Sequence, residues 1–370
     1  LTSGAIAATM LDRAGIPFET TFEKQLDAEA IDRIAATDHE VALFTDFGSG
    51  QLDDIVPHQR AGAFDAVVAD HHQPATAEEG EDDPEIGHHL NPLLFGVDGA
   101  SELSGAGATY VLARAMETEN VDNRDLAALA VVGAVGDMQD TDGGLIGANE
   151  GIVAEGVEAG VVEEVTDISL YGRQTRPLPK LLEYASELRI PGISGDEDGS
   201  IRFLADLDVD LKVDGDWRRW VDLSFEERQT VASALMQHAI SRGVPPERVN
   251  GVTTTTYTLS AEEVGTELRD VSEFSTVLNA TARYERADVG LAVCLGDRGE
   301  ALEEARTLLR THRRNLSEGL EWVKTEGVEG AEHLQWFDAG TRIRETIVGI
   351  IAGMALGAEG VRRDQPILAF

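Results

Sequence analysis

Apolar residues recur at helical spacing in TSGAIAATMLDRA, where Ile6, Met10 and Leu11 share one face, and this predicts a helix over residues 2–14. The pattern then shortens into runs that read as strands: PFETTF at 17–22, VALFTDF at 41–47 and AVVAD at 66–70, with the helical AEAIDRIAATD between the first two. Strands and helices alternating on this scale predict βαβ units around a parallel sheet. The acidic run EEGEDDPE at 78–85 reads as a solvated loop. Further on, SGAGATYVLARAM turns helical, and DLAALAVVGAVGDMQD is an apolar helix that ends in Gly136 and Asp137. Residues 151–195 keep a helical pattern, broken at RPLPK. The segment SFEERQTVASALMQHAISRG carries a capping box of Ser224 and Glu227. ALEEARTLLRTHRRNLSEGLEWV is a long amphipathic helix, and 251–297 holds threonine-rich, β-like pieces. LQWFD reads as a strand, RIRETIVGIIAGMAL as a helix and PILAF as a strand. No internal repeat is visible.

At 370 residues the chain exceeds one typical domain, so two or three units are expected. A hydrophobic fraction of 42% is enough for real cores. No run of about 18 uninterrupted apolar residues occurs, which argues against a membrane span. The start, LTSGAIAATMLDRAG, lacks the basic opening of a signal peptide, so the expected location is cytoplasmic. The single cysteine, Cys294, excludes an intrachain disulfide framework and a thiolate zinc cluster.

Charge changes the picture more. There are 68 acidic residues against 30 basic ones, and 26 of the basic residues are Arg. Such a surface, with abundant Ala, Gly and Val, looks like that of a cytoplasmic protein from a salt-accumulating halophile. In molar salt the Debye length falls to about 3 Å. A net charge of −38 therefore neither unfolds the chain nor excludes nucleic acid as a partner.

The candidates for chemistry are Asp46 in FTDFGSG, Asp70, His71 and His72 in VADHHQP, and Asp137 in AVGDMQD. In parallel sheets ligands gather at the carboxyl ends of strands, where Asp46 and Asp70 to His72 should lie. Carboxylates and imidazoles so placed suit Mn²⁺ or Mg²⁺, with substrate phosphate oxygens filling the open positions. Two such ions about 3.5–4 Å apart would activate water and stabilise the departing oxygen of a phosphodiester. Each piece alone is weak, since an Asp at a strand end is usually a turn or cap residue.

In order and spacing these segments resemble the DHH phosphoesterase superfamily, and more closely the RecJ-like exonucleases of archaea, including the GINS-associated nuclease. FTDFGSG, VADHHQP with the following HLNP, SGAGATYVL and AVGDMQD resemble successive family motifs. YGRQTRPLPK at 171–180, PGISGDE at 191–197 and LRDVSEFSTVLNATAR at 268–283 resemble the archaeal subgroup. The resemblance implies an α/β fold: a parallel-sheet DHH domain, a mainly helical insertion and the start of a DHH-associated α/β domain. The corresponding boundaries are 1–195, 196–330 and 331–370.

The resemblance also implies roles. Asp46 would be the carboxylate that bridges two ions, His71 and Asp137 further metal ligands, Asp70 a residue that orients an imidazole, and His72 the group facing the scissile phosphate. Ser104 and Gly105, at a helix N-terminus, would either bind phosphate through backbone N–H groups or act as an ordinary cap. Arg173 and Arg176 are candidate nucleic-acid contacts, as are Arg310, Arg313 and Arg314, for which a solvated helix face is the simpler reading. WRRW at 217–220 suggests a stacking platform but fits core packing better.

The family's first motif, a strand with an Asp-x-Asp-Gly turn, would precede LTSGAIAATM, and its glycine- and histidine-rich substrate loop would follow Phe370. The expectation is a piece of a longer protein, inactive by itself. The implied activity is a single-strand-specific exonuclease, 5′→3′ on DNA, using two Mn²⁺ or Mg²⁺ ions in replication or repair. The alternatives are a non-catalytic, GINS-binding scaffold of the replicative helicase assembly, or a small-substrate phosphatase or oligoribonuclease.

Overall fold

The computed structural model describes residues 1–76, 84–141, 143–185, 188–356, 358 and 360–370. The acidic run at 78–85 lies outside the described residues except for its last two positions. By packing, the chain divides into Thr2–Ser275 and a second unit made of Leu1 with Thr276–Phe370. Among the described residues no helix is long and apolar enough to cross a membrane.

The first unit opens with α1 (Thr2–Arg13), which buries Ile6 and Met10 on one face as the periodicity predicts. α2 (Ala28–Ala35) starts at Asp27, whose side chain accepts from the Ala30 N–H, a cap that satisfies one of the free donors of the first turn. β1 (Val41–Thr45), α3 (Leu52–Arg60), β2 (Asp65–Ala69) and β3 (His88–Leu90) build a parallel sheet in the order β1-β2-β3. Leu43 and Thr45 alternate with Ala42 and Phe44, and the latter two enter a core with Ile31, Leu52, Ile55, Phe64 and Val68. The register pairs Thr45 with Ala69 and Ala69 with Leu90. It therefore sets the residues after β1 and β2 side by side at the carboxyl edge.

α4 (Gly105–Ala115), α5 (Ala127–Gly136) and α6 (Ala148–Glu158) follow. Small residues let these helices close up: a Cβ on Gly133 would lie 2.3 Å from the Ala106 Cβ and 2.6 Å from the Thr2 hydroxyl. Next come β4 (Val162–Ile168), α7 (Leu178–Glu183), α8 (Glu197–Ala205), the short pair β5 (Lys212–Val213) and β6 (Asp216–Trp217), α9 (Phe225–Ser241), α10 (Pro246–Asn250) and β7 (Thr253–Leu259). The capping box at α9 is present: the Ser224 hydroxyl accepts from the Glu227 N–H, and the Glu227 carboxylate accepts from the Ser224 N–H. Leu178, Leu181, Leu182, Leu204, Trp220, Val231 and Leu235 form a separate core here. Trp220 is buried and donates to Asp167, so the second tryptophan of WRRW packs rather than stacks on a ligand.

Three expected stretches differ, and within the β-like 251–297 residues 271–283 and 287–294 are helical. Residues 17–22 form no strand: Pro17 has no N–H to give a ladder, and Phe18 and Phe22 are exposed rather than packed in a core. Within the stretch read as helical, VEEVTDI forms β4, which pairs antiparallel with β7 from Val162↔Leu259 to Ile168↔Thr253. VEEVTDI has no continuous helical stripe, and its partner is the threonine-rich strand about ninety positions later, a pairing that local pattern does not reveal.

The division between units falls inside α11 (Val271–Arg283). The second unit continues through α12 (Ala287–Cys294), α13 (Glu300–Glu326), β8 (Glu329–Gly330), β9 (Gln335–Phe337), α14 (Glu345–Ala355) and β10 (Ile367–Ala369). β9 lies between β10, parallel, and β8, antiparallel. Val323, Phe337, Ile343, Ile347 and Ile351 make its core, and Gly319 is where α13 meets the Ile351 side chain. The strand–helix–strand order read from LQWFD onward is the observed one.

Candidate metal centre

Four backbone segments converge at the carboxyl edge of the parallel sheet. β1 runs into Asp46, whose N–H donates to the Ala69 carbonyl at 3.0 Å, and β2 runs into Asp70, whose N–H donates to the Leu90 carbonyl at 3.0 Å. The sheet ladder thus extends one residue past each strand and fixes where both acids start. Asp46 then turns out of the strand at φ 66°, a left-handed conformation that few side chains other than Asn and Asp adopt readily. Gly48 follows at φ 114°.

Gly105, the first residue of α4, packs against Asp46. A Cβ there would lie 2.0 Å from the Asp46 Oδ1 and 2.9 Å from its Cα, so only glycine lets the helix N-terminus approach this carboxylate. Ser104 is buried and caps α4, its hydroxyl accepting from the Gly107 N–H at 3.1 Å. Asp137 ends α5, and its N–H donates to the Gly133 carbonyl.

His71 sits at the centre and is 8% exposed. Its Nδ1 is 2.6 Å from the Gly99 carbonyl, its Nε2 is 3.4 Å from Asp46 Oδ1, and its Nδ1 is 3.7 Å from Asp137 Oδ2. Gly99 is another enforced glycine, since a Cβ would strike the His71 carbonyl oxygen at 2.0 Å. Burial alone would lower the His71 pKa; the hydrogen bonds from the ring to Asp46 and Gly99 and the charge of Asp137 outweigh it and lift the value to about 9. Burial also raises Asp137, with Asp46 adding to the rise and His71 opposing it. Two half-exposed carboxylates thus crowd one imidazole, and in the absence of any other cation a proton on His71 supplies the positive charge they require.

Asp70 is different. It is wholly buried, and burial would raise its pKa, but hydrogen bonds from His72, the Ser49 N–H and the His71 N–H hold it below the usual carboxylate range. Its Oδ1 accepts from His72 Nδ1 at 2.7 Å and from the His71 N–H at 2.7 Å, while Oδ2 accepts from the Ser49 N–H at 3.0 Å. His72 has 59% of its side chain exposed, with the Nε2 edge unclaimed by that pairing. Among the described residues, ligand atoms of Asp46, Asp70, His71 and His72 all lie within 4.8 Å of one another. Asp70 is nonetheless better read as the holder of His72 than as a ligand, because its oxygens are already taken up by N–H donors. The carbonyl of Gly99, not Asp70, orients His71.

The donor set fits a divalent cation. With Nδ1–H given to Gly99, a neutral His71 presents its Nε2 lone pair towards Asp46, the arrangement typical of metal-bound imidazoles. The excess of carboxylate over positive charge suits hard ions such as Mg²⁺ or Mn²⁺.

Behind the acids runs a buried amide chain. Gln139 Nε2 donates to Asp137 Oδ2 and to the Gly99 carbonyl, both at 2.9 Å. Its Oε1 accepts from Asn149 Nδ2 at 2.7 Å, and Asn149 Oδ1 accepts from the Ser104 N–H at 3.4 Å. On the other side, Ser49, His89 and Asn91 adjoin the Asp70–His72 pair. Ser49, His89, Asn91 and Gln139 fall inside motifs visible in the sequence, though nothing local marked their roles. Gly99 and Asn149 carry no sequence signal, because they matter only through the approach of distant segments.

The bonds described for Arg173 and Arg176 lie outside this cluster. The Arg173 guanidinium is 9% exposed, donates from Nε to Asp270 Oδ2 at 3.0 Å and from Nη1 to the Ile168 carbonyl at 2.8 Å, and forms a further bond from Nη2 to Asp270. Arg176 stacks between the rings of Tyr171 and Tyr184, at 4.8 and 4.9 Å.

Comparison with known proteins agrees with this picture. The model of the DHH-CID domain matches residues 170–253, which coincide with the core around Leu178, Leu204 and Trp220. An uncharacterized protein of Methanocaldococcus jannaschii is 27% identical over 373 residues, covering 100% of this chain and 75% of that protein. RecJ of Thermus thermophilus in complex with Mn²⁺ superposes on the whole chain with a TM-score of 0.55 at 17% identity, and exonuclease RecJ bound to manganese with 0.54 at 17%. This chain spans 41% of the Thermus protein and 71% of the second structure. The mixed α/β fold with its parallel sheet is therefore the RecJ-like DHH fold.

Proposed function

We propose that this chain carries the active site of a metal-dependent phosphodiesterase: a RecJ-like exonuclease that hydrolyses single-stranded nucleic acid, DNA from the 5′ end, with Mn²⁺ or Mg²⁺. The observation that carries this reading is the meeting of Asp46, His71 and Asp137 around one imidazole, with His72 exposed beside them. A divalent ion bound there would activate water and neutralise phosphate charge. Asp46 and Asp137 supply the anionic oxygens, and Gly99 holds His71 with one nitrogen turned to Asp46. His72, its Nδ1 anchored on the buried Asp70, directs Nε2 outward; protonated there, it donates to a phosphate oxygen while Asp70 stabilises the charge on the ring. The N-terminus of α4 beside Asp46 offers Gly105 as a second phosphate contact. Arg176, its guanidinium carbon over the rings of Tyr171 and Tyr184, is kept as a nucleic-acid contact, whereas Arg173 acts in this reading through the loop that carries Arg176.

Residues 1–195 are assigned as the catalytic domain, 196–330 as an insertion and 331–370 to a substrate-binding domain. The strongly acidic composition and the sparse lysine support a halophilic, cytoplasmic setting, and the RecJ-like reading carries with it a role in DNA replication or repair. Incubating the full-length protein with Mn²⁺ and end-labelled single strands in molar salt should release mononucleotides from one end. Cleavage that persists unchanged in Asp46→Ala would sink the proposal. Absence of cleavage together with tight binding to a GINS complex would favour a scaffold instead.

A further inference from the structure

The pair formed by Asp70 and His72 is gripped from behind by three polar side chains that the metal chemistry does not use. Asn91 is wholly buried, and its Oδ1 accepts from the Leu93 N–H at 3.0 Å, so the other end of the amide is the NH₂ group. Those two hydrogens go to the Ser49 hydroxyl and to the His72 carbonyl, both at 2.8 Å. Ser49 is also wholly buried; having accepted from Asn91, it gives its own hydrogen to His89 Nε2 at 2.8 Å. His89 then accepts at Nε2 and carries its hydrogen on Nδ1. The Ser49 N–H meanwhile donates to the far oxygen of Asp70. Reversing the Asn91 amide sets two donors or two lone pairs face to face, and reversing the Ser49–His89 bond leaves the hydrogen of a buried hydroxyl with no acceptor among the bonds described.

We propose that Ser49, Asn91 and His89 are positioning residues acting through His72: Asn91 holds its backbone carbonyl, Ser49 holds the carboxylate that anchors its ring, and His89 fixes the direction of the Ser49 hydroxyl. They keep His72 as the Nδ1–H tautomer with Nε2 turned to the substrate side. The functional meaning rests on the phosphodiesterase reading, but the tautomer is observable without turnover.

The test is ¹⁵N NMR of the imidazole nitrogens in the full chain, metal-free and at alkaline pH. The wild type should show both His72 and His89 as Nδ1–H tautomers. Asn91→Asp, nearly isosteric, turns a donor into an acceptor; Ser49 then donates to the new carboxylate and His89 switches to Nε2–H. Ser49→Ala removes the donor to His89 Nε2 and should split His89 between its two tautomers, while the backbone N–H of residue 49 still holds Asp70 and the His71 and His72 signals stay in place. If the His72 and His89 resonances in both variants match the wild type, the proposal is wrong. In the rate assay, Asn91→Asp, which loses the donor to the His72 carbonyl, should lower turnover about tenfold at unchanged Mn²⁺ affinity, as loss of a supporting hydrogen bond typically does, and add nothing in a His72→Ala background. A full additional loss in that background would equally overturn it. A protein that cleaves nothing speaks against the phosphodiesterase reading, and the tautomer result still decides the positioning role.

Discussion

Two clusters of acids and bases in this molecule contain similar groups and do opposite things. Around His71, the carboxylates of Asp46 and Asp137 are roughly half exposed and outnumber the positive charge available to them. Around Arg173, the acids Asp270 and Glu273 are buried, and a guanidinium with every bond directed inward fills the centre. The Gln174 N–H closes the second cluster by binding Glu273. An open cluster with a charge deficit is a place for a cation; a closed one that brings its own arginine is a brace between loop and helix. Residue type does not separate the two, whereas exposure and charge balance do.

The comparison can be broken most forcefully at the brace. Arg173→Ala leaves Asp270 buried and unpaired, and should destabilise the fold by about 3–5 kcal/mol, read as a fall in melting temperature, with Mn²⁺ affinity at the first cluster unchanged. At the open cluster the signs reverse. Asp46→Ala should cost more than about a hundredfold in Mn²⁺ affinity and turnover, since even supporting partners of metal ligands cost about 10–100-fold. Its melting temperature without metal should fall less than that of Arg173→Ala, because relief of carboxylate crowding offsets the cost of alanine at the left-handed φ of position 46.

These two outcomes bear on how much could be read from the chain alone. The meeting of the residues proposed as ligands was legible because sheet register is local information: once VALFT and AVVA are strands in parallel, the next residue of each lands at the same edge. Asp137 was legible as the residue ending an apolar helix. Arg173 was not, since its identity as a brace depends on Asp270, 97 positions later. The same distance effect hid β4 behind a helical reading and hid the Gly99 carbonyl that orients His71. Gly105 was visible as a helix start, yet its closest contact, the Asp46 carboxylate, follows from tertiary packing and not from its motif.

A smaller effect should appear with pH. Burial, reinforced by Asp270 and opposed by the Thr175 hydrogen bond, raises Glu273 from its ordinary 4.5 to about 7. The folded state therefore holds a proton that the unfolded chain releases, so this group's contribution is complete below about pH 4.5 and is lost as pH rises through 7. Thermal melts from pH 5 to 8 should show that decline, and Glu273→Gln should flatten it. An equally steep decline in the variant would remove Glu273 as the cause.

The smallest change expected is at the amide chain. Gln139→Ala frees the Asp137 carboxylate and the Gly99 carbonyl, and should weaken Mn²⁺ binding about tenfold with a stability loss near 1 kcal/mol. Equal Mn²⁺ affinity in the variant would show that Asp137 needs no such support.

The most direct measurement is calorimetric titration of Mn²⁺ into the protein and into Asp46→Ala and Arg173→Ala at fixed pH and salt. Binding that vanishes in Asp46→Ala and survives in Arg173→Ala is the predicted result. Binding of equal strength in all three proteins would mean that the carboxylates around His71 do not hold the ion.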